Sequence, residues 1–262
     1  MYDVDAESAL PPSPFLLAAE WRAVVELGAF AALLPLLRNT PRGDGRPVLV
    51  LPGLSAGDMS TLPMRTFLAD RGYTVYGWAL GRNDGYKPGL KELKQQRLQQ
   101  IFDKHGQKVS VVGWSLGGIY ARQLAKQCPD MVRDVISLGS PFKGHPRQSN
   151  AWRLYEALAG HSVDEVIHEE DIHSPPPVPF TSIFSRTDGV VAWECCIEHE
   201  SPIAENIGIE GSHCGLGHHP LALYIIAQRL AQAEGAWAPF DPETPLLRSL
   251  FSDLHEPAAA AA

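Results

Sequence analysis

The chain contains no run of about 20 uncharged apolar residues, so no stretch of it is expected to cross a membrane as a helix. It also lacks basic clusters. Lys and Arg number 22 against 30 Asp and Glu, a formal net charge of −8, which argues against a nucleic-acid partner. Cysteine is scarce: Cys128, Cys195, Cys196 and Cys214, at spacings that match no zinc ribbon. These read as buried thiols in a reducing compartment, with one bridge left open, from Cys195 or Cys196 to Cys214. No dinucleotide fingerprint or glycine-rich phosphate loop occurs, so no cofactor is expected. The stretch "HEEDIH" (168–173) mixes histidine and carboxylates without the spelling of a zinc helix, and no metal site is assigned to it. The first residues, "MYDVDAES", are acidic where a signal peptide would be basic. The expected location is cytoplasmic, with membrane association left open.

What is present is enough for one sizeable core: 262 residues, 45% hydrophobic. Residues 14–38, "PFLLAAEWRAVVELGAFAALLPLLR", open a helix at Pro14, and Pro35 is expected to kink or end it. Glu20, Arg22 and Glu26 interrupt its apolar character. The expectation is a helix packed on the domain, with a lid, a dimer contact or a membrane-surface contact as alternatives. Beyond "TPRGDGR", short apolar runs alternate with helical stretches. "PVLVLP", "YTVYGWAL", "KVSVVGW", "VRDVISLGS", "FTSIFS" and "ENIGIEG" read as six strands. That alternation predicts a mostly parallel sheet flanked by helices. The layout is an N-terminal helical segment and linker (1–45), an α/β core (46–240) and a C-terminal tail (241–262) that ends in five alanines. Residues 143–179 are too long for an ordinary connection and predict a helical cap inserted in the core.

Between a strand and a helix stands Gly113-Trp114-Ser115-Leu116-Gly117. A sharp strand-to-helix turn exposes its central serine only if its neighbours are small, and Gly113, Gly117 and Gly118 meet that need. Serine also needs a base held by a third group. In this architecture the order along the chain is Ser, then Asp or Glu, then His. Asp188 follows "FTSIFS", and His213 follows "ENIGIEG". Glu194 and Glu198 lie farther from the strand tip, while His218 and His219 adjoin Pro220 and are read as capping or flanking the site. For the oxyanion, the N–H of Leu116 follows the nucleophile, and the N–H of Leu54 lies in the loop after the first strand.

Together "LPGLSAGDMS", "GWSLGG", "LGSPFKG", "SRTDGVV" and "GSHCGLG" resemble the bacterial α/β-hydrolase lipases and esterases, over roughly residues 46–235. The resemblance implies an α/β-hydrolase fold, a Ser115–Asp188–His213 triad and carboxylic-ester hydrolysis. The chain departs from the family at its start, where the helix from Pro14 replaces the usual antiparallel strands. The expected substrate is a small-molecule or lipid ester. An acyltransferase, a thioesterase or a non-catalytic binding homologue is the alternative. Trp114 is expected to touch substrate. So are Trp152, Leu154 and Leu158 of the cap, where Val163, Val166 and Ile167 continue the apolar pattern.

Overall fold

The computed structural model describes residues 4–165, 171–242 and 244–251. Ser13 opens the first helix, its hydroxyl accepting from the Leu16 N–H at 3.3 Å, with Pro14 at the first helical position. Helix α1 (Pro14–Ala18) passes through a 3₁₀ turn (Ala19–Trp21) into α2 (Arg22–Leu37). Pro35 does not end the helix where it stands: it lies inside α2, which runs on to Leu37. In the last turn a proline removes only one ladder bond, and the Arg38 N–H still reaches the Leu34 carbonyl at 3.0 Å.

The body then alternates as β1 (Pro47–Leu51), α3 (Leu62–Asp70), β2 (Thr74–Gly77), α4 (Leu90–His105), β3 (Val109–Trp114), α5 (Leu116–Gln127) and β4 (Val132–Leu138). Next come α6 (Trp152–Ala159), β5 (Phe180–Phe184), β6 (Ala204–Gly208), α7 (Pro220–Leu230) and a short α8 (Pro245–Arg248). The six strands form one sheet in the order β2-β1-β3-β4-β5-β6, and every pairing is parallel.

The near-continuous apolar runs of the sequence follow from burial on both faces. Val48, Val50, Val112, Ile136 and Ile183 point to one layer, which is covered by α3, α7 and part of α2. Their neighbours Leu49, Leu51, Val111, Val135 and Phe180 point to the other, under α4 and α5. Phe240 and Phe251 meet edge-to-face, 5.2 Å apart, and join the first layer. No helix among the described residues is long and apolar enough to cross a membrane.

Two features frame the site. The strand order reverses direction between β1 and β3, which opens a crevice at their carboxyl ends. The excursion between β4 and β5 carries α6 over that edge. It is anchored by Arg122 of α5, whose guanidinium donates to the Ser174 carbonyl at 2.9 Å. The same side chain pairs with buried Glu198 at 2.7 Å and lies over the Phe142 ring at 3.9 Å. Val166 and Ile167 lie outside the described residues.

Candidate active site

Ser115 links β3 to α5 with φ 56° and ψ −124°, a backbone conformation that non-glycine residues rarely adopt. Crowding explains the glycines around it. A Cβ at Gly113 would overlap the Gly117 backbone, and one at Gly117 would overlap the Leu51 carbonyl. The strain is held by the sheet, since the Ser115 N–H donates to the Leu138 carbonyl at 2.7 Å. The turn leaves the hydroxyl at the amino end of α5, where unpaired N–H groups favour negative charge.

His213 leaves the loop after β6, and its Nε2 lies 2.9 Å from Ser115 Oγ. Its Nδ1 lies 2.6 Å from Asp188 Oδ2. Asp188 is buried on the loop after β5, where its other oxygen, Oδ1, accepts from the Val190 and Val191 N–H groups at 2.8 and 2.7 Å. A carboxylate can only accept, so the imidazole proton sits on Nδ1 and Nε2 is left to accept from the serine. Burial disfavours the charged imidazole. The Asp188 carboxylate opposes this by charge and hydrogen bond, and Glu20 adds to it, so the pKa of His213 lies above its ordinary value.

Of the competing residues, Glu198 is taken up by Arg122 and by Lys143 at 3.2 Å. Nε2 of His218 lies 2.8 Å from the Ala23 carbonyl, and the His219 ring accepts from the Leu221 N–H at the start of α7.

An open cleft of about 840 Å³, solvent at its mouth included, begins at Ser115. Leu54 and Leu116 stand beside the serine, while Ile119, Trp152, Tyr155, Val163 and Ile172 make much of the wall. The cap residues divide by helical phase. Trp152 and Tyr155 are three apart and share the face turned to the cleft. Leu154 falls on the opposite side, 48% exposed, and Leu158 is half-buried away from the lining. Trp114 is also absent from the wall: its ring packs against Gly217 and its Nε1 donates to the His213 carbonyl at 3.1 Å. All four cysteines are free. The bridge left open to Cys214 is therefore not formed, and the buried-thiol reading holds for Cys195 and Cys196 but not for Cys214, which is exposed beside His213. The Cys214 thiol is pushed up to about 12, first by desolvation and then by Glu20.

Sequence reasoning missed three supports. Asn83 is buried and its side-chain amide donates to the Pro52 carbonyl at 2.9 Å, while its backbone carbonyl takes the Ser55 N–H at 2.7 Å. It thereby braces the loop that carries Leu54. Glu20 and Glu26 reach the loops of Asp188 and His213 from the N-terminal segment. Their only sequence signal was a charged residue, like Arg22 between them, interrupting the apolar stretch 14–38. No group of three or more His, Cys, Asp or Glu suited to a metal occurs among the described residues.

The sheet, the strained serine turn after β3 and the solved structures agree on the class: the chain has the α/β-hydrolase fold. Aspergillus fumigatus lipase B is 18% identical over 74% of this chain and 55% of its own, at a TM-score of 0.57. Mature Bacillus licheniformis lipase BlEst2 is 15% identical, covering 74% of this chain and 95% of its own, at 0.52. The monoacylglycerol lipase of Paleococcus ferrophilus is 14% identical, covering 72% and 96%, at 0.51. At sequence level, the family model described as palmitoyl protein thioesterase matches residues 47–173, just under half of the chain. No curated protein matches it.

Proposed function

We propose that this protein is a serine hydrolase that cleaves an acyl ester through a covalent acyl-enzyme. The observation that carries the reading is the continuous relay Asp188–His213–Ser115, at 2.6 and 2.9 Å, opening on an apolar cleft. Ser115 Oγ attacks the acyl carbonyl and its proton passes to His213 Nε2. The Asp188 carboxylate holds the imidazolium that forms. The N–H groups of Leu116 and Leu54 are assigned to the oxyanion. His213 then returns the proton to the leaving group. Water, deprotonated by the same nitrogen, attacks the acyl-enzyme, releases the acid and restores the serine. No step requires a cofactor.

The acyl half of the substrate belongs to the cleft. A wall of Ile119, Trp152, Tyr155, Val163 and Ile172 rewards chain length and offers little to a polar acid. The family-model match favours a second leaving group, a thiol in place of an alcohol. The two chemistries share every residue named and differ only in what His213 protonates.

One experiment tests both. Purified protein is assayed with p-nitrophenyl octanoate and with octanoyl thioesters, alongside Ser115→Ala. The expected result is turnover that falls by about 10⁶ in the variant, to the limit of detection, and fluorophosphonate labelling of the wild type only. Retention of more than a few per cent of turnover by Ser115→Ala would remove Ser115 as the nucleophile. The ratio of the two wild-type rates assigns the leaving group.

A further inference from the structure

The N-terminal segment lies outside the span matched by the family model, yet its carboxylates end on the catalytic loops. Glu20, in the 3₁₀ turn between α1 and α2, accepts three backbone N–H groups. Its Oε1 takes the N–H of Gly189, next to Asp188, at 2.8 Å and that of His213 at 2.9 Å. Its Oε2 takes the Cys214 N–H at 2.8 Å. Glu26, on α2, takes the N–H of Ser212 at 2.8 Å and also its hydroxyl. One side chain therefore joins the acid loop to the base loop, and a second holds the residue before the base.

The surroundings fit this close approach. A Cβ at Gly189 would overlap the Leu16 carbonyl, and one at Gly215 would overlap the Glu26 carboxylate. Arg22 donates to the Thr187 carbonyl at 2.9 Å, and Asn150 ties the Pro12 and Gly189 carbonyls together at 3.0 and 2.8 Å. The other side of the segment touches nothing comparable: Phe15 and Trp21 are 80% and 67% exposed. Packing alone could have been met by apolar side chains. Two carboxylates aimed at four backbone N–H groups of the catalytic loops are a different arrangement, and they stand close to where positive charge develops on His213 in the reaction.

We infer that Glu20 is a positioning residue of the catalytic centre, acting through His213 and Asp188 by fixing their loops against one carboxylate, with Glu26 as its lesser partner. The inference rests on the proposed serine-hydrolase reading. Three N–H bonds to one carboxylate fix the loops of Asp188 and His213 against each other, and a misplacement near 1 Å can cost about 10²-fold in rate. The carboxylate also supports the imidazolium electrostatically. The charged or titratable groups facing His213 are Asp188 from the β5 loop, Glu20 and Glu26 from the N-terminal segment, and Cys214 on its own loop. His218 and His219 follow on that loop, and Arg22 approaches through Thr187.

The test compares Glu20→Gln, Glu20→Ala and Glu26→Gln with the wild type. Glu20→Gln keeps the shape, but its amide NH₂ must oppose at least one N–H. Turnover is expected to fall about 10-fold in Glu20→Gln and about 10²-fold in Glu20→Ala, with KM within roughly twofold. Glu26→Gln should lose less. Because Glu20 raises the pKa of His213, the rising limb of kcat/KM against pH should move to lower pH in Glu20→Gln. The His213 resonance, followed by NMR, should titrate at correspondingly lower pH. An unchanged pH profile and unchanged titration would overturn the inference even if turnover fell, because a purely structural contact leaves both in place. If Glu20→Ala does not fold, the isosteric Gln variant decides. The NMR titration needs no turnover, so failure of the hydrolase reading, seen as no labelling of wild-type Ser115, is distinguishable from failure of this one.

Discussion

Replacing Asp188 with Asn probes the relay at its most constrained point. The side chain is buried and both of its ends are committed. Oδ1 faces two N–H donors, from Val190 and Val191, at 2.8 and 2.7 Å. Oδ2 faces His213 Nδ1 at 2.6 Å. An asparagine has one acceptor end and one donor end. Turning its NH₂ toward Val190 and Val191 would set donor against two donors, so the oxygen stays there and the NH₂ faces His213. Nδ1 must then accept, and the imidazole proton moves to Nε2, which points at Ser115. The base is left holding a proton where it should take one. In a triad this tautomer error costs roughly 10⁴ in turnover, about 5.5 kcal/mol at 1.36 kcal/mol per tenfold. The assay is kcat on a p-nitrophenyl ester, with thermal melting as the control for folding. A variant that melts like the wild type and keeps more than a tenth of its turnover would refute the reasoning, because the tautomer would then not be set by this carboxylate.

Two further expectations follow from the cleft and the cap. Specificity should climb with acyl length by up to about 0.8 kcal/mol per buried methylene. Tyr155→Ala and Trp152→Ala should flatten that climb while sparing acetate, whereas Leu154→Ala, on the exposed side of α6, should leave it unchanged; kcat/KM from acetate to decanoate esters reads the difference. Arg122→Met removes the partner of a Glu198 side chain that is 0% exposed. Lys143 at 3.2 Å offsets part of that loss, so the expectation is the lower end of the usual range, about 3 kcal/mol. A melting temperature lower by roughly 6–12 °C checks it, and a shift of under 2 °C would mean that Lys143 suffices.

Much of the fold was legible because it rests on short-range rules. "PVLVL" and "VSVVGW" announce strands buried on both faces, and both have neighbours two apart in one layer and the intervening residues in the other. The glycines around Ser115 are readable because a nucleophile turn excludes side chains at fixed offsets. Asp188 and His213 could be named because each follows a strand, and parallel strands present their carboxyl ends at one edge. The structure sets His213 at hydrogen-bonding distance of both Asp188 and Ser115.

The cap was readable as an excursion but not in its rotation. Leu154 and Leu158 continue the apolar pattern of α6, yet Tyr155 turns to the cleft with Trp152, since which face of a short helix looks inward depends on the neighbour it meets. Trp114 illustrates the same limit, spending its N–H on the His213 carbonyl. The sequence by itself determined the strand pattern, the tight glycine-flanked turn at Ser115 and the order of Ser115, Asp188 and His213 at the strand ends, all consequences of local sterics and periodicity. Only the tertiary structure decided that Glu20 meets His213, 193 residues away, through a backbone N–H. A bond to a main-chain donor leaves no mark on the residue that receives it, and folding alone brings the two together.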